Sequence, residues 1–112
     1  MTPIYRLPLR AAFAAALLSA ATSFALAGPS MSTSLSPTSL DLPACLKRGE
    51  EIMREAGLTR NLQVLQATVY GEQGDYTASV RCLPDKDVVF FVVAGPRPDR
   101  ASKLMTDLRG RF

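Results

Sequence analysis

Cys45 and Cys82 carry the most definite chemistry in this chain. They are far apart and form no C-x-x-C pair, so the spacing of a thiol oxidoreductase is missing and a structural disulfide is expected. Closing a loop of about 38 residues in this way stabilises a fold by roughly 3–4 kcal/mol in the chain-entropy estimate. Other reactive constellations are hard to assemble. The 112 residues include no His, so a Ser-His-Asp triad, a Cys-His pair and an imidazole metal ligand are all unavailable. Glu50, Glu51 and Glu55 lie beside Lys47 and Arg54, where solvated ion pairs are expected, and Asp85 and Asp87 flank a turn. No catalytic residue, metal site or cofactor is expected, and the chain reads as a non-enzyme.

Two short motifs invite a binding role. Gly71-Glu72-Gln73-Gly74 matches a bare G-x-x-G, but it is acidic and sits between strand-like segments, so a hairpin turn is expected rather than an RNA clamp. The segment GPRPDR, residues 95–100, places Arg97 and Arg100 at the start of a helical pattern. Free backbone N–H groups and the helix dipole favour an anion there, which makes these two arginines the candidate ligand-binding residues. The competing reading is a stiff turn whose Asp99 already fills the cap.

These residues need elements to position them. Residues 1–10 carry two positive charges, an Ala-rich apolar run follows to Leu26, and Ala25-Leu26-Ala27 offers small residues for cleavage before Gly28. That order predicts a removable export signal over residues 1–27, and an apolar run of about 16 residues is too short for a stable membrane span. Losing Arg6 and Arg10 takes 13 basic residues to 11 against 10 acidic ones, a net of +1. The basic pI therefore belongs largely to the signal and gives no support to nucleic-acid binding. Residues 28–40 (GPSMSTSLSPTSL) are rich in Ser, Thr and Pro and carry no charge, so a flexible tail is expected there. A single small domain should occupy residues 41–112.

Within it, Leu42, Cys45, Leu46, Gly49, Ile52, Met53 and Ala56 make one helical face, with Asp41 as N-cap and Gly57 as the closing left-handed residue. Gly49 in mid-helix implies close approach to a sheet. Three strands follow: residues 62–70, with a phase change between Val64 and Leu65; residues 76–82, with Tyr76, Ala78, Val80 and Cys82 on one side; and residues 88–94, nearly continuous Val and Phe. Ala101, Leu104, Met105, Leu108 and Phe112 give a second helix. The expected fold is α+β in the order α-β-β-β-α, a three-stranded antiparallel meander with two helices packed on one face.

The stretches CLKRGEEIMREAGL, GDYTASVRC and VVFFVVAGP, taken together, resemble small exported proteins of bacteria with a cysteine pair. The resemblance covers nearly all of the domain. It implies a periplasmic or secreted location and carries no activity with it. Function is then expected to be binding, to a protein, a peptide or a second copy. Two helices cover only one sheet face, and Val89, Phe91 and Val93 are expected on the other, beside Thr77, Ser79 and Arg81. Three apolar side chains in line there predict a homodimer or envelope-partner interface, with the N-terminal tail as the other candidate cover. In the reversed phase of the third strand, Val88, Phe90 and Val92 point outward instead. The alternative is anion or small-ligand binding at the 95–100 turn.

Overall fold

Asp41 begins the first helix as its composition suggests. Its backbone is extended (φ −70°, ψ 172°), and its carboxylate accepts a hydrogen bond from the Ala44 N–H. The computed structural model describes residues 28–112, and the export signal expected over residues 1–27 lies outside the described residues. Helix α1 (Leu42–Glu55) ends in paired reverse bonds: Gly57 N–H donates to Arg54 O at 3.2 Å and Leu58 N–H to Met53 O at 2.9 Å. Gly57 takes φ +78°, and Leu58 folds back into the core. We predict that Asp41→Ala lowers the unfolding free energy by about 1 kcal/mol, read as a lower denaturation midpoint with an unchanged slope.

The chain carries five strands: β1 (Ser30–Pro37), β2 (Arg60–Leu65), β3 (Thr68–Gln73), β4 (Tyr76–Leu83) and β5 (Val88–Gly95), followed by helix α2 (Pro98–Arg111). They form one antiparallel sheet in the order β1-β5-β4-β3-β2. The α+β class and the meander are as expected, but three strands understate the sheet for two reasons. First, residues 62–70 are not one strand. The chain reverses at Gln66 and Ala67, with Leu65 paired to Thr68 and Val64 to Val69. The phase change after Val64 marks that reversal. Gln66 supplies the positive φ the turn needs, and Ala67 O accepts the Cys82 N–H at 2.8 Å.

Second, the segment expected to be a flexible tail holds β1, which pairs along its whole length with β5. Its serines at 30, 32, 34 and 36 are half-buried on the helix side, while Met31, Thr33, Leu35 and Pro37 are exposed. An edge strand needs little apolar surface of its own because β5 supplies its ladder.

Helix α1 packs on β2, β3 and β4, and helix α2 on β5 and β1, both on the same side. Gly49 allows the first contact. A methyl group there would meet Val69 Cγ2 at 3.0 Å and Val80 Cγ1 at 3.5 Å. Cys45 and Cys82 join α1 to β4 as a disulfide buried in this layer. Arg48 links the two helices by donating to the carbonyls of Arg111 and Phe112, where the C-terminal end of α2 favours a cation.

Val89, Phe91 and Val93 lie within this layer and are fully buried. The expectation that they face away from the helices is therefore corrected. Cys82 is opposite Val89, Val80 opposite Phe91 and Ala78 opposite Val93, and partners in a ladder share a face. The turn between β4 and β5 sets this phase. It is a short 3-10 segment (Pro84–Lys86) followed by Asp87 at φ +54°, and it closes the hairpin on Leu83 and Val88.

Candidate functional site

The other face of the sheet carries no helix. The register places its side chains in rows across the strands. One row runs Leu35, Phe90, Arg81, Thr68 and Leu65, and the next runs Thr33, Val92, Ser79, Tyr70 and Gln63. Met31 lies opposite Ala94 in a third row, and Pro37, Val88 and Leu83 close the face at the far end. Met31 is 69% exposed, Leu35 55% and Leu65 54%, while Val88, Phe90, Val92 and Tyr70 are half-buried. Single exposed apolar residues are ordinary, but these share one surface with its centre on Phe90 and Val92.

Charge on this face is sparse. Arg81 sits between Phe90 and Thr68, exposed, with no ion-pair partner among the described residues. The acid on the same face, Glu72, is already engaged. Its carboxylate accepts from Arg60 Nε at 3.0 Å and from Asn61 Nδ2 at 3.0 Å. The surface therefore combines an apolar strip with one unneutralised guanidinium. Such a surface suits an apolar counterpart that carries a carboxylate.

The arginines at the start of α2 are arranged differently. Tyr76 anchors the turn. Its hydroxyl accepts the Arg97 N–H at 3.2 Å, and its ring lies against Gly95, where any side chain would collide with it. The Arg100 guanidinium lies 5.7 Å from the centre of the same ring and donates to Gln73 Oε1 at 2.9 Å. Arg97 is the N-cap residue by position but makes no side-chain capping bond, and the first turn carries Asp99. Arg97 makes two 3.3 Å bonds to the Asp99 carboxylate. Desolvation pushes the Asp99 carboxyl up, but the Arg100 backbone N–H and the Arg97 charge outweigh it and hold it below the usual carboxylate value. Arg97, Asp99, Arg100 and Lys103 line a shallow, open depression. The structure thus gives the two arginines different partners: Arg97 pairs with the Asp99 carboxylate, an anion that the chain itself supplies, while Arg100 is held by Gln73 and the Tyr76 ring.

Of the carboxylates on α1, two form ion pairs, with partners other than the expected Lys47 and Arg54, and Glu50 forms none among the described residues. Glu51 meets Arg48 at 3.4 Å, Glu55 meets Arg111 at 3.7 Å, and Asp85 lies in the 3-10 segment before β5. Compared with known proteins, the chain matches no family model, no curated protein and no solved structure. The reading of its surface rests on geometry.

Sequence reasoning placed Arg81, Ser79 and Thr77 on the uncovered face, and the structure has them there. For β5 it favoured Val89, Phe91 and Val93 and held Val88, Phe90 and Val92 as the reversed-phase alternative, because a strand with Val or Phe at every position carries no alternation to read. The structure takes the alternative. It missed Met31 and Leu35 when the chain was read alone. Their alternation with serine was the available signal, and the surrounding Ser/Thr/Pro composition masked it.

Proposed function

We propose that this protein is a non-catalytic, exported binding module. It uses the helix-free face of its sheet to hold a protein partner that presents an apolar surface with a carboxylate. The observation that carries this reading is the joint placement of Met31, Leu35, Phe90 and Val92 around the unpaired Arg81. A second copy stacked face to face would bring this cation no free carboxylate from the same face, with Glu72 already committed to Arg60. A partner of opposite charge fits better. Export is supported by the buried disulfide, which suits an oxidising compartment, and by the signal-like pattern of residues 1–27. No helix among the described residues is long and apolar enough to cross a membrane. The anion-binding reading of the 95–100 turn has less support, because Asp99 occupies the position a ligand would take.

The reading makes a direct prediction for surface variants. Phe90→Glu and Arg81→Glu should fold as the parent does, yet each should carry at least about tenfold less partner when the protein is isolated from the cells that produce it. Paired Arg97→Ala and Arg100→Ala changes should leave the partner bound. Retention of partner by both face variants would defeat the proposal, as would its loss with the arginine pair alone.

A further inference from the structure

The free edge of β1 has a symmetry that nothing in the fold requires. Thr38 N–H donates to Asp87 O at 2.9 Å, one step beyond the pair Pro37 and Val88. Antiparallel ladders alternate between bonded and non-bonded pairs. Thr38 belongs to a bonded pair, so the even-numbered residues of β1 give their backbone groups to β5. The odd-numbered residues Met31, Thr33 and Leu35 turn their N–H and C=O groups toward the open edge. Pro37, which has no N–H to offer, falls in this outward set, where none is needed for β5.

These outward groups are arranged evenly about Thr33. Met31 and Leu35 lie two residues to either side, and Pro29 and Pro37 lie four to either side. Edge strands are ordinarily blunted by charge, by an interior proline or by a bulge. The opposite edge of this sheet is blunted in that way, because β2 carries Arg60, a register break between Arg60 and Gln63, and Asn61 at φ +52°. Strand β1 has no charge, an unbroken register of eight residues and prolines only at its ends.

We propose that β1 pairs antiparallel with β1 of a second copy, centred on Thr33, to give one continuous sheet across a two-fold axis. In that register Thr33 faces its own equivalent, and Met31 faces Leu35 of the other copy. All three free N–H groups of each strand find a carbonyl. Pro29 then lies opposite Pro37, so the ladder stops at both ends where neither strand has an N–H to leave unpaired. A shift of two residues in either direction moves one N–H onto the carbonyl of Pro29 or Pro37 and leaves the Leu35 or Met31 carbonyl against a proline. The pattern is self-complementary in this register, as a closed two-fold contact demands. On the helix side the facing residues are serines, which are small enough for the strands to approach. The inference is independent of the open-face reading, because it uses backbone groups in the plane of the sheet. Its consequence for that surface is a doubled width, with Met31 and Leu35 at the seam.

Thr33→Lys tests it. The residue is exposed and its backbone does not bond to β5, so the substitution leaves the fold intact. Two lysines would then face each other across the axis with Cα atoms about 5.5 Å apart. The protein, made from its full sequence and purified in the form its cells accumulate, should sediment as a dimer. Thr33→Lys should halve that mass without changing the far-ultraviolet spectrum. Amide exchange gives a second readout that does not depend on the variant: Met31, Thr33 and Leu35 should be protected along with the even-numbered residues. A monomeric parent whose odd-numbered amides exchange freely would overturn the proposal. A dimer that survives Thr33→Lys but is lost with Phe90→Glu would also overturn it, and would mean face-to-face stacking instead.

Discussion

Phe91→Glu should unfold the protein. The Phe91 ring is fully buried and meets Phe112 edge-on, with ring centres 5.7 Å apart. Truncating a buried phenylalanine costs about 3–5 kcal/mol, and placing an unpaired carboxylate in the same space adds several more. A domain of this size has only about 5–15 kcal/mol in total. The adjacent change, Phe90→Glu, should cost about 1 kcal/mol, because that side chain lies half-exposed on the opposite face. Thermal melting followed by circular dichroism separates the two. A folded Phe91→Glu beside an unfolded Phe90→Glu would mean that the phase of β5 is reversed.

Removing the disulfide should have the next largest effect. Cys82→Ser opens the link between α1 and β4 and restores the entropy of a loop of about 38 residues, for a loss of roughly 3–4 kcal/mol. In a domain this small that corresponds to a fall in Tm of roughly 12–30 °C. Both cysteines are 1% exposed, so a reductant reaches the bond chiefly through opening of the fold. Melting of the reduced protein should therefore be compared after a cycle of unfolding and refolding with reductant. Cys82→Ser also leaves Cys45 as a lone thiol, which invites disulfide-linked dimers on unfolding. Equal Tm values for the parent and the variant would show that the bond contributes nothing to stability.

How much of this fold could be read from the chain follows from the kind of signal each element carries. Helix α1 was legible from end to end, because Asp41, Gly49 and Gly57 each have a local physical reason for their positions. Strand β4 was legible from its strict alternation, and the cysteine pair from the scarcity of other partners. The β2–β3 hairpin was not, since Gln66 takes a positive φ that the sequence marks with neither Gly nor Asn. Strand β1 was hidden for a tertiary reason. Its order comes from the ladder to β5, and Ser30, Ser32, Ser34 and Ser36 carry no apolar pattern that shows it.

The candidate surface was half legible. That one sheet face would lack helices and carry large apolar side chains follows from counting elements, and Arg81 was already assigned to it. Which half of β5 it would take does not follow, because both alternate sets of that strand are apolar. A change of one residue in the β4–β5 turn would exchange them. Only the register, with Cys82 opposite Val89, decides the matter. The arginines of the 95–100 turn were correctly placed at a helix start, but the Asp99 carboxylate beside Arg97 showed that the position is occupied.

The role of the helix-free face is tested most directly by photocrosslinking in living cells. A photoreactive phenylalanine analogue would be placed either at Thr77, exposed on that face, or at Lys103, exposed on α2. The expected result is an adduct with a different protein from position 77, none from position 103, and loss of the adduct when Arg81→Glu is added to a folded chain. Adducts from position 103 alone, or an adduct at 77 that Arg81→Glu leaves unchanged, would contradict a partner held through this face.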